Sequence, residues 1–198
     1  MSGSSKEQRA ITVEEYLRLE AEGAVRHEYV GGERYALAGS STRHNLIAGN
    51  LLVYLRAAAH RRSCRVYMSD VKLRAGSAFY YPDVMIDCTP GEPPALVIHS
   101  PCVVIEVSSP STALIDRREK LAAYRSLPSL RAYLIVDQDR RHVTRHWRDV
   151  DGTWVHATVT EHERIPVPCV ETELALEAIY ENVAIPPLGV AEPAEESV

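Results

Sequence analysis

Hydrophobic positions along this chain repeat with two periods, and the switches between them mark its elements. Thr12-Val-Glu-Glu15 fits a capping box and predicts a short helix from about Thr12 to Ala21. Strand-like runs Arg26–Val30 and Glu33–Leu37 flank Gly31-Gly32, a pair that tolerates the positive φ of a tight hairpin turn. Ser40-Ser41 then caps a longer helix, with Ile47, Leu51, Tyr54, Leu55 and Ala58 on one stripe and an end near Arg62. Period-two or continuous apolar runs follow at Arg65–Leu73, Phe79–Ile86 and Cys102–Ser108. Ser111-Thr112 caps a further helix to about Ser126, stopped by Pro128, and Leu130–Val136 reads as a buried strand beyond it. A strand–helix–strand unit of this length implies a parallel, right-handed crossover. His142–Asp149 and Thr153–Thr160 form an antiparallel hairpin around Val-Asp-Gly, and Glu173–Tyr180 reads as a last short helix. The expected fold class is α/β: a sandwich with a mixed central sheet flanked by helices and an added antiparallel hairpin.

Composition narrows this picture modestly. The 198 residues, 45% hydrophobic and 25% charged, suit one domain with a substantial core. That domain is expected over residues 11–183, between a polar, disordered 1–10 and a disordered acidic, Pro-containing tail at 184–198. No apolar stretch approaches the ~18 residues needed to span a bilayer. The first residues lack the apolar core of a secretory signal, so the expected location is cytoplasmic. Cysteines 64, 88, 102 and 169 form no C-x-x-C pair or other zinc-like spacing, so small hydrophobes are expected rather than a disulfide framework or zinc site. His142 and His146 stand four apart, but their segment alternates like a strand, which predicts surface histidines. A net charge of −5 argues against broad, sequence-blind nucleic-acid binding. Arginines 56, 61, 62 and 65, and 140, 141, 145 and 148, read equally well as solvated faces or as a phosphate track.

The chemistry centres on Glu106, inside the buried run Cys-Val-Val-Ile-Glu-Val. A carboxylate there costs several kcal/mol, on the order of a buried ion's effective penalty, unless a cation, a metal or hydrogen-bond donors compensate it. Asp83 lies in the preceding strand, beside Pro82, which cannot donate to a ladder and predicts a strand start, edge or bulge. Two nearby carboxylates raise one another's pKa unless a cation neutralises them, and magnesium, with oxygen ligands, does this. Asp116, Lys120 and Tyr124 recur at i, i+4 and i+8 on one side of the crossover helix. Lys120 can therefore lean over the strand end toward Glu106; an exposed ion pair with Asp116 is the competing account. His44 shares the inward stripe of Ile47 and Leu51, where a satisfied core histidine is the usual explanation. Asp70 ends a strand-like segment as a turn residue.

The ordered blocks Thr-Val-Glu-Glu-Tyr-Leu (12–17), Arg-His-Glu-Tyr-Val-Gly-Gly-Glu (26–33), Arg-His-Asn-Leu-Ile-Ala (43–48), Tyr-Met-Ser-Asp (67–70), Tyr-Tyr-Pro-Asp-Val (80–84), Ile-Glu-Val-Ser-Ser-Pro-Ser-Thr (105–112), Asp-Arg-Arg-Glu-Lys-Leu-Ala-Ala-Tyr (116–124) and Val-Asp-Gln-Asp (136–139) resemble the Uma family of restriction-endonuclease domains, within the PD-(D/E)xK nuclease-like superfamily. The resemblance covers about residues 11–183. It implies a restriction-endonuclease-like fold, a magnesium (or manganese) site at Asp83 and Glu106, and a catalytic set of Glu28, Asp83, Glu106 and Lys120. His44, Asp70, Asp116 and Tyr124 are then candidates for supporting or substrate contacts. The chain departs from the superfamily pattern at Ser108, two residues after Glu106, where a lysine would stand; Lys120 replaces it from the following helix.

The leading expectation is a magnesium-dependent endonuclease acting on DNA. A catalytically quiet module binding nucleic acid or a partner around a structural metal, and a phosphodiesterase acting on RNA or small substrates, are the alternatives. Cutting both strands of a duplex is simplest with two sites related by a twofold axis, so a homodimer is expected.

Overall fold

The structure is a computed structural model describing residues 10–37, 39–94, 96–108, 119–159 and 163–185. The expected disordered ends, 1–10 and 184–198, fall almost wholly outside those residues, as does the capping pair Ser111-Thr112.

Local signals set the N-terminal third. Thr12 Oγ1 accepts the Glu15 N–H at 3.2 Å and starts α1 (Val13–Glu22), whose Tyr16 and Glu20, one turn apart, are buried. β1 (His27–Val30) and β2 (Glu33–Ala36) pair as the predicted hairpin. Gly31 and Gly32 turn it at φ 59° and 91°, values that strain any residue with a Cβ. Ser41 Oγ accepts the His44 N–H at 3.1 Å and caps α2 (Thr42–Arg61), which buries Ile47, Leu51, Leu55 and Ala58.

The next region departs from expectation. Two anticipated strands are four: β3 (Arg65–Met68), β4 (Lys72–Ala75), β5 (Ala78–Tyr80) and β6 (Val84–Asp87). The second break falls at Tyr81-Pro82-Asp83, where Pro82 supplies no ladder N–H. There the chain leaves one sheet for another. The remaining elements are β7 (Val97–Ile98), β8 (Pro101–Ser108), α3 (Leu121–Arg125), β9 (Ala132–Asp137), β10 (Val143–Arg148), β11 (Trp154–Val159), β12 (Arg164–Val167), β13 (Thr172–Ala175) and α4 (Leu176–Ile179). They build a six-stranded sheet ordered β11-β10-β9-β8-β6-β3, a five-stranded sheet ordered β2-β1-β5-β4-β7, and a hairpin of β12 and β13. β8 and β9 run parallel, as the crossover requires, and β10 and β11 form the expected antiparallel pair. The chain thus forms a mixed α/β sandwich whose central sheet carries helices.

Alternation in the central strands sorts the core. Val84, Ile86, Val103, Ile105 and Val107 face α2, α4 and the β12–β13 hairpin. Met85 and Val104 face the other way, with Leu73, Tyr80 and Tyr124. All eight residues of β8 are buried. Each aliphatic side chain fully withdrawn from water contributes roughly 1.5–3 kcal/mol, so β8 is anchored along its length.

Three further expectations are corrected. The predicted helix Glu173–Tyr180 is strand up to Ala175, because β13 pairs with β12 and leaves only Leu176–Ile179 helical. Tertiary pairing has overridden local helix propensity. The cysteines are not isolated hydrophobes: Cys64 pairs with Cys88 and Cys102 with Cys169. His146 is not at the surface either; it is 6% exposed, stacked between Tyr133 and His156. The arginine clusters are mostly occupied locally. Arg148 donates to the carbonyls of Leu130, Arg125 and Gly152, Arg140 binds Asp137, Arg65 reaches the Thr89 carbonyl, and Arg62 pairs with Glu171.

Burial, with Arg125 and His156 alongside, pushes the His146 imidazole down to about 4. A group whose folded value lies below its unfolded value of about 6.5 contributes stability above pH 6.5 and loses it as pH falls toward 4. His146→Phe keeps the ring stack and removes that titration. Thermal melts between pH 7 and pH 4 should show a shallower decline for the variant, the parent losing about 2 kcal/mol more across the window. Parallel curves would mean that His146 is not buried in its neutral form.

Candidate active site

Antiparallel pairing of β6 with β8 places Val84 opposite Ile105, and the same register continued by one residue sets Asp83 opposite Glu106. Carboxylates at such positions have Cβ atoms about 5 Å apart and destabilise the pair unless something compensates. Each acid is compensated separately. Asp83 Oδ2 accepts the Val107 N–H at 2.7 Å and lies 3.2 Å from His44 Nε2. Glu106 is 4% exposed, and its Oε1 accepts the Tyr124 hydroxyl at 2.7 Å and Lys120 Nζ at 3.2 Å.

Lys120 links strands from both sheets. Its ammonium sits 2.9 Å from Glu28 Oε1 on β1 as well as 3.2 Å from Glu106. Glu28 Oε1 also accepts the Tyr81 N–H at 3.3 Å, next to the Pro82 break. Lys120 is itself buried, and its acid partners among the described residues, Glu28 and Glu106, come from other elements. Asp116 lies outside the described residues. Tyr124, one turn on from Lys120, holds its proton tightly: burial above all, then the nearby Glu106 charge, raise its pKa well above the ordinary phenol value. It therefore stays a donor to Glu106.

Glu28, Tyr81, Glu106 and Lys120 line a groove of about 970 Å³ whose walls include Val25, Tyr35, His44 and Asp83. His44 is satisfied, as an inward histidine should be, and one of its partners is Asp83. Asp70 stands at the groove's outer rim, in the turn after β3, with its side chain 82% exposed and 3.5 Å from Arg26. It is remote in character from the buried acids. Lys72, a conceivable substitute for Lys120, lies against the Tyr81 ring at 5.5 Å instead.

Sequence reasoning missed the layer behind Glu28. Glu20, 2% exposed, accepts the Tyr81 hydroxyl at 2.8 Å and the His27 N–H at 2.9 Å. It thereby fixes the residue before Pro82 and the residue before Glu28 together. The signal was present in outline: Glu20 lies four residues after buried Tyr16, on the inward face of α1. Gln138 was also missed; it accepts the Ser41 hydroxyl at 2.9 Å and ties the start of α2 to the end of β9.

A divalent ion fits this chemistry. Glu28 and Glu106 meet on one ammonium and Asp83 on one imidazole, and these carboxylate oxygens are the kind of donor that suits magnesium or manganese. Asp83 and Glu106 are the two that come from neighbouring strands, Asp83 immediately before β6 and Glu106 within β8.

Comparison with known proteins bears on family and fold. The family model described as "Uma2: Putative restriction endonuclease" matches residues 13–178. The uncharacterized protein slr1290 of Synechocystis is 30% identical over 177 residues, covering 88% of this chain and 93% of that protein. A second Synechocystis protein, sll1609, is 30% identical over 152 residues, covering 73% of this chain and 85% of its own. A crystal structure from Anabaena variabilis, described as "a putative nuclease belonging to DUF820", matches with a TM-score of 0.72 at 17% identity, over 86% of this chain and 97% of that one. That likeness establishes a common fold.

The bridging position of Lys120 has a stability consequence in the metal-free protein. Lys120→Met leaves Glu28 and Glu106 buried without their shared cation, which should lower the unfolding free energy by about 3 kcal/mol. Glu28→Gln in the same background should recover part of the loss. Urea denaturation of parent, single and double variants checks this; a Lys120→Met protein as stable as the parent would remove Lys120 from the bridge.

Proposed function

The chain belongs to the Uma2 family, and from that premise we propose that it is a divalent-metal-dependent endonuclease that hydrolyses DNA phosphodiester bonds. The observation that carries the proposal is the opposed pair Asp83 and Glu106 with Lys120 held beside it. A stability role alone does not account for the set, since a buried ion pair rarely outperforms an apolar replacement.

Asp83 and Glu106 would hold the ion, magnesium or manganese. When bound, the ion supplies neutralisation of phosphate charge and a more acidic water. The protein's own groups supply position. The Val107 N–H and His44 hold Asp83 from one side, and Tyr124 holds Glu106 from the other. Glu28 keeps the Lys120 ammonium against Glu106, where it orients a water for attack and offsets charge growing on the phosphate. The groove is open at its rim, where Tyr35 and Val25 are exposed, so it admits a polymer rather than enclosing a small ligand. Double-strand scission by a single-site protomer is met most simply by a twofold dimer, which we include in the reading. Sedimentation showing monomer alone at micromolar concentration, with and without DNA, would remove the dimer.

Calorimetric titration with magnesium or manganese should show binding that disappears in Asp83→Asn and in Glu106→Gln. Plasmid and oligonucleotide cleavage should depend on the same ion and fail in both variants. In Lys120→Met, single-turnover cleavage at saturating metal should fall by roughly a hundredfold while metal binding persists, the scale of one lost electrostatic stabiliser. Equal metal binding in parent and acid variants would sink the site, and cleavage at the parent rate in Lys120→Met would sink the lysine's role.

A further inference from the structure

The four cysteines of the chain come from four separate segments and form two neighbouring disulfides. Cys64 follows α2, Cys88 follows β6, Cys102 lies in β8, and Cys169 lies in the short turn of helix Pro168–Val170. The two disulfides lie side by side: Cys88 Sγ is 3.6 Å from Cys102 Sγ across the pairs. The sulfurs of Cys88, Cys102 and Cys169 all lie within 4.8 Å of one another, and Cys64 is bonded to the first of them. Two structural disulfides need no such adjacency.

Four thiolates at one point suit a soft or borderline divalent ion. Zinc takes four cysteine sulfurs tetrahedrally at about 2.3 Å, so neighbouring sulfurs in such a site stand about 3.8 Å apart. The cross-pair separation already has that spacing. The bonded pairs widen toward it when the disulfides open, and Cys64, whose sulfur lies outside the 4.8 Å group, joins by rotating its own side chain. Cys64 and Cys102 are 8% exposed, whereas Cys88 and Cys169 are half-buried, so the cluster is shielded yet reachable.

We propose that this cluster is a second site, distinct from the acidic one, that holds zinc in the reduced protein and closes to two disulfides on oxidation. Each disulfide takes two electrons and two protons from a dithiol reductant, which closes to its own disulfide, giving four thiols in all. One Zn²⁺ then binds as the four thiols release four protons. With four protein ligands the site is closed and structural in kind. It ties the end of α2, the entry to β8, the exit of β6 and the C-terminal hairpin at one point. The acids occupy the other ends of the same two strands, so the two metals differ in hardness and in place.

The test uses the full chain, reduced anaerobically with a phosphine and titrated with Co²⁺ as the spectroscopic stand-in for zinc. One equivalent should give thiolate-to-cobalt charge transfer and tetrahedral d–d bands, both erased by one equivalent of zinc. The same bands should appear in the Asp83→Asn/Glu106→Gln protein, which separates this site from the acidic one. Oxidised protein with both disulfides formed should give none. The proposal is overturned if folded, reduced protein shows no such bands, or if reduced protein unfolds and cobalt does not refold it. It is equally overturned if the bands survive unchanged in Cys102→Ser or, should that variant not fold, in Cys169→Ser at the outer turn.

Discussion

A carboxylate in the middle of a fully buried strand is the constraint around which the rest of the molecule is arranged. Glu106 in β8 accepts hydrogen bonds from Tyr124 on α3 and from Lys120 just before it. Buried Lys120 shares its charge with Glu28 as well. Glu28 is in turn set by β1, whose first residue and whose neighbour Tyr81 are both held by Glu20 on α1. The chain of compensation therefore runs from the central sheet through the crossover helix to the second sheet and the N-terminal helix. Breaking any link leaves a charge in low dielectric, and such a loss costs more than the pair contributes when intact.

Much of this was legible because its signals are local. Caps at Thr12 and Ser41, the Gly31-Gly32 turn and the alternation across Val84, Met85 and Ile86 each depend on near neighbours in sequence. The acids Asp83 and Glu106 stood out because they interrupt apolar runs, and Lys120 and Tyr124 because helical spacing places them together. What stayed hidden depends on residues far apart. Nothing near Glu173 announces that Arg164–Val167 will pair with it. Spacing rules for cysteine detect ligand pairs on one loop, and here four segments each contribute one sulfur. His146 sits in an alternating strand, where either face is acceptable until Tyr133 and His156 close over it.

The division of one apparent strand into β5 and β6 shows how a local rule and a tertiary demand cooperate. Pro82 interrupts the ladder, which is a cost in an unbroken strand. Here the interruption lets the chain change sheets, with Tyr80 ending one and Val84 beginning the other. The three residues released from pairing serve the site directly. The Tyr81 N–H is free of the ladder and goes to Glu28, and Asp83 turns its carboxylate to the Val107 N–H across the gap.

The same geometry explains why the lysine arrives from a helix rather than from two residues after Glu106. Positions 104, 106 and 108 share a face of β8, and that face carries Val104 and Tyr124 in one apolar cluster under α3. Ser108 is 3% exposed, aligned with Asp137 of the parallel neighbour, and its carbonyl accepts the Gln138 N–H. A lysine there would bring a long side chain and a charge into a closed corner. α3 already lies over Glu106, and a residue one turn before Tyr124 comes in from the groove side. From that direction its ammonium meets Glu28 and Glu106 together, which a lysine rising from β8 itself would not do. The position of Lys120 thus follows from which side of the buried carboxylate has room for a cation.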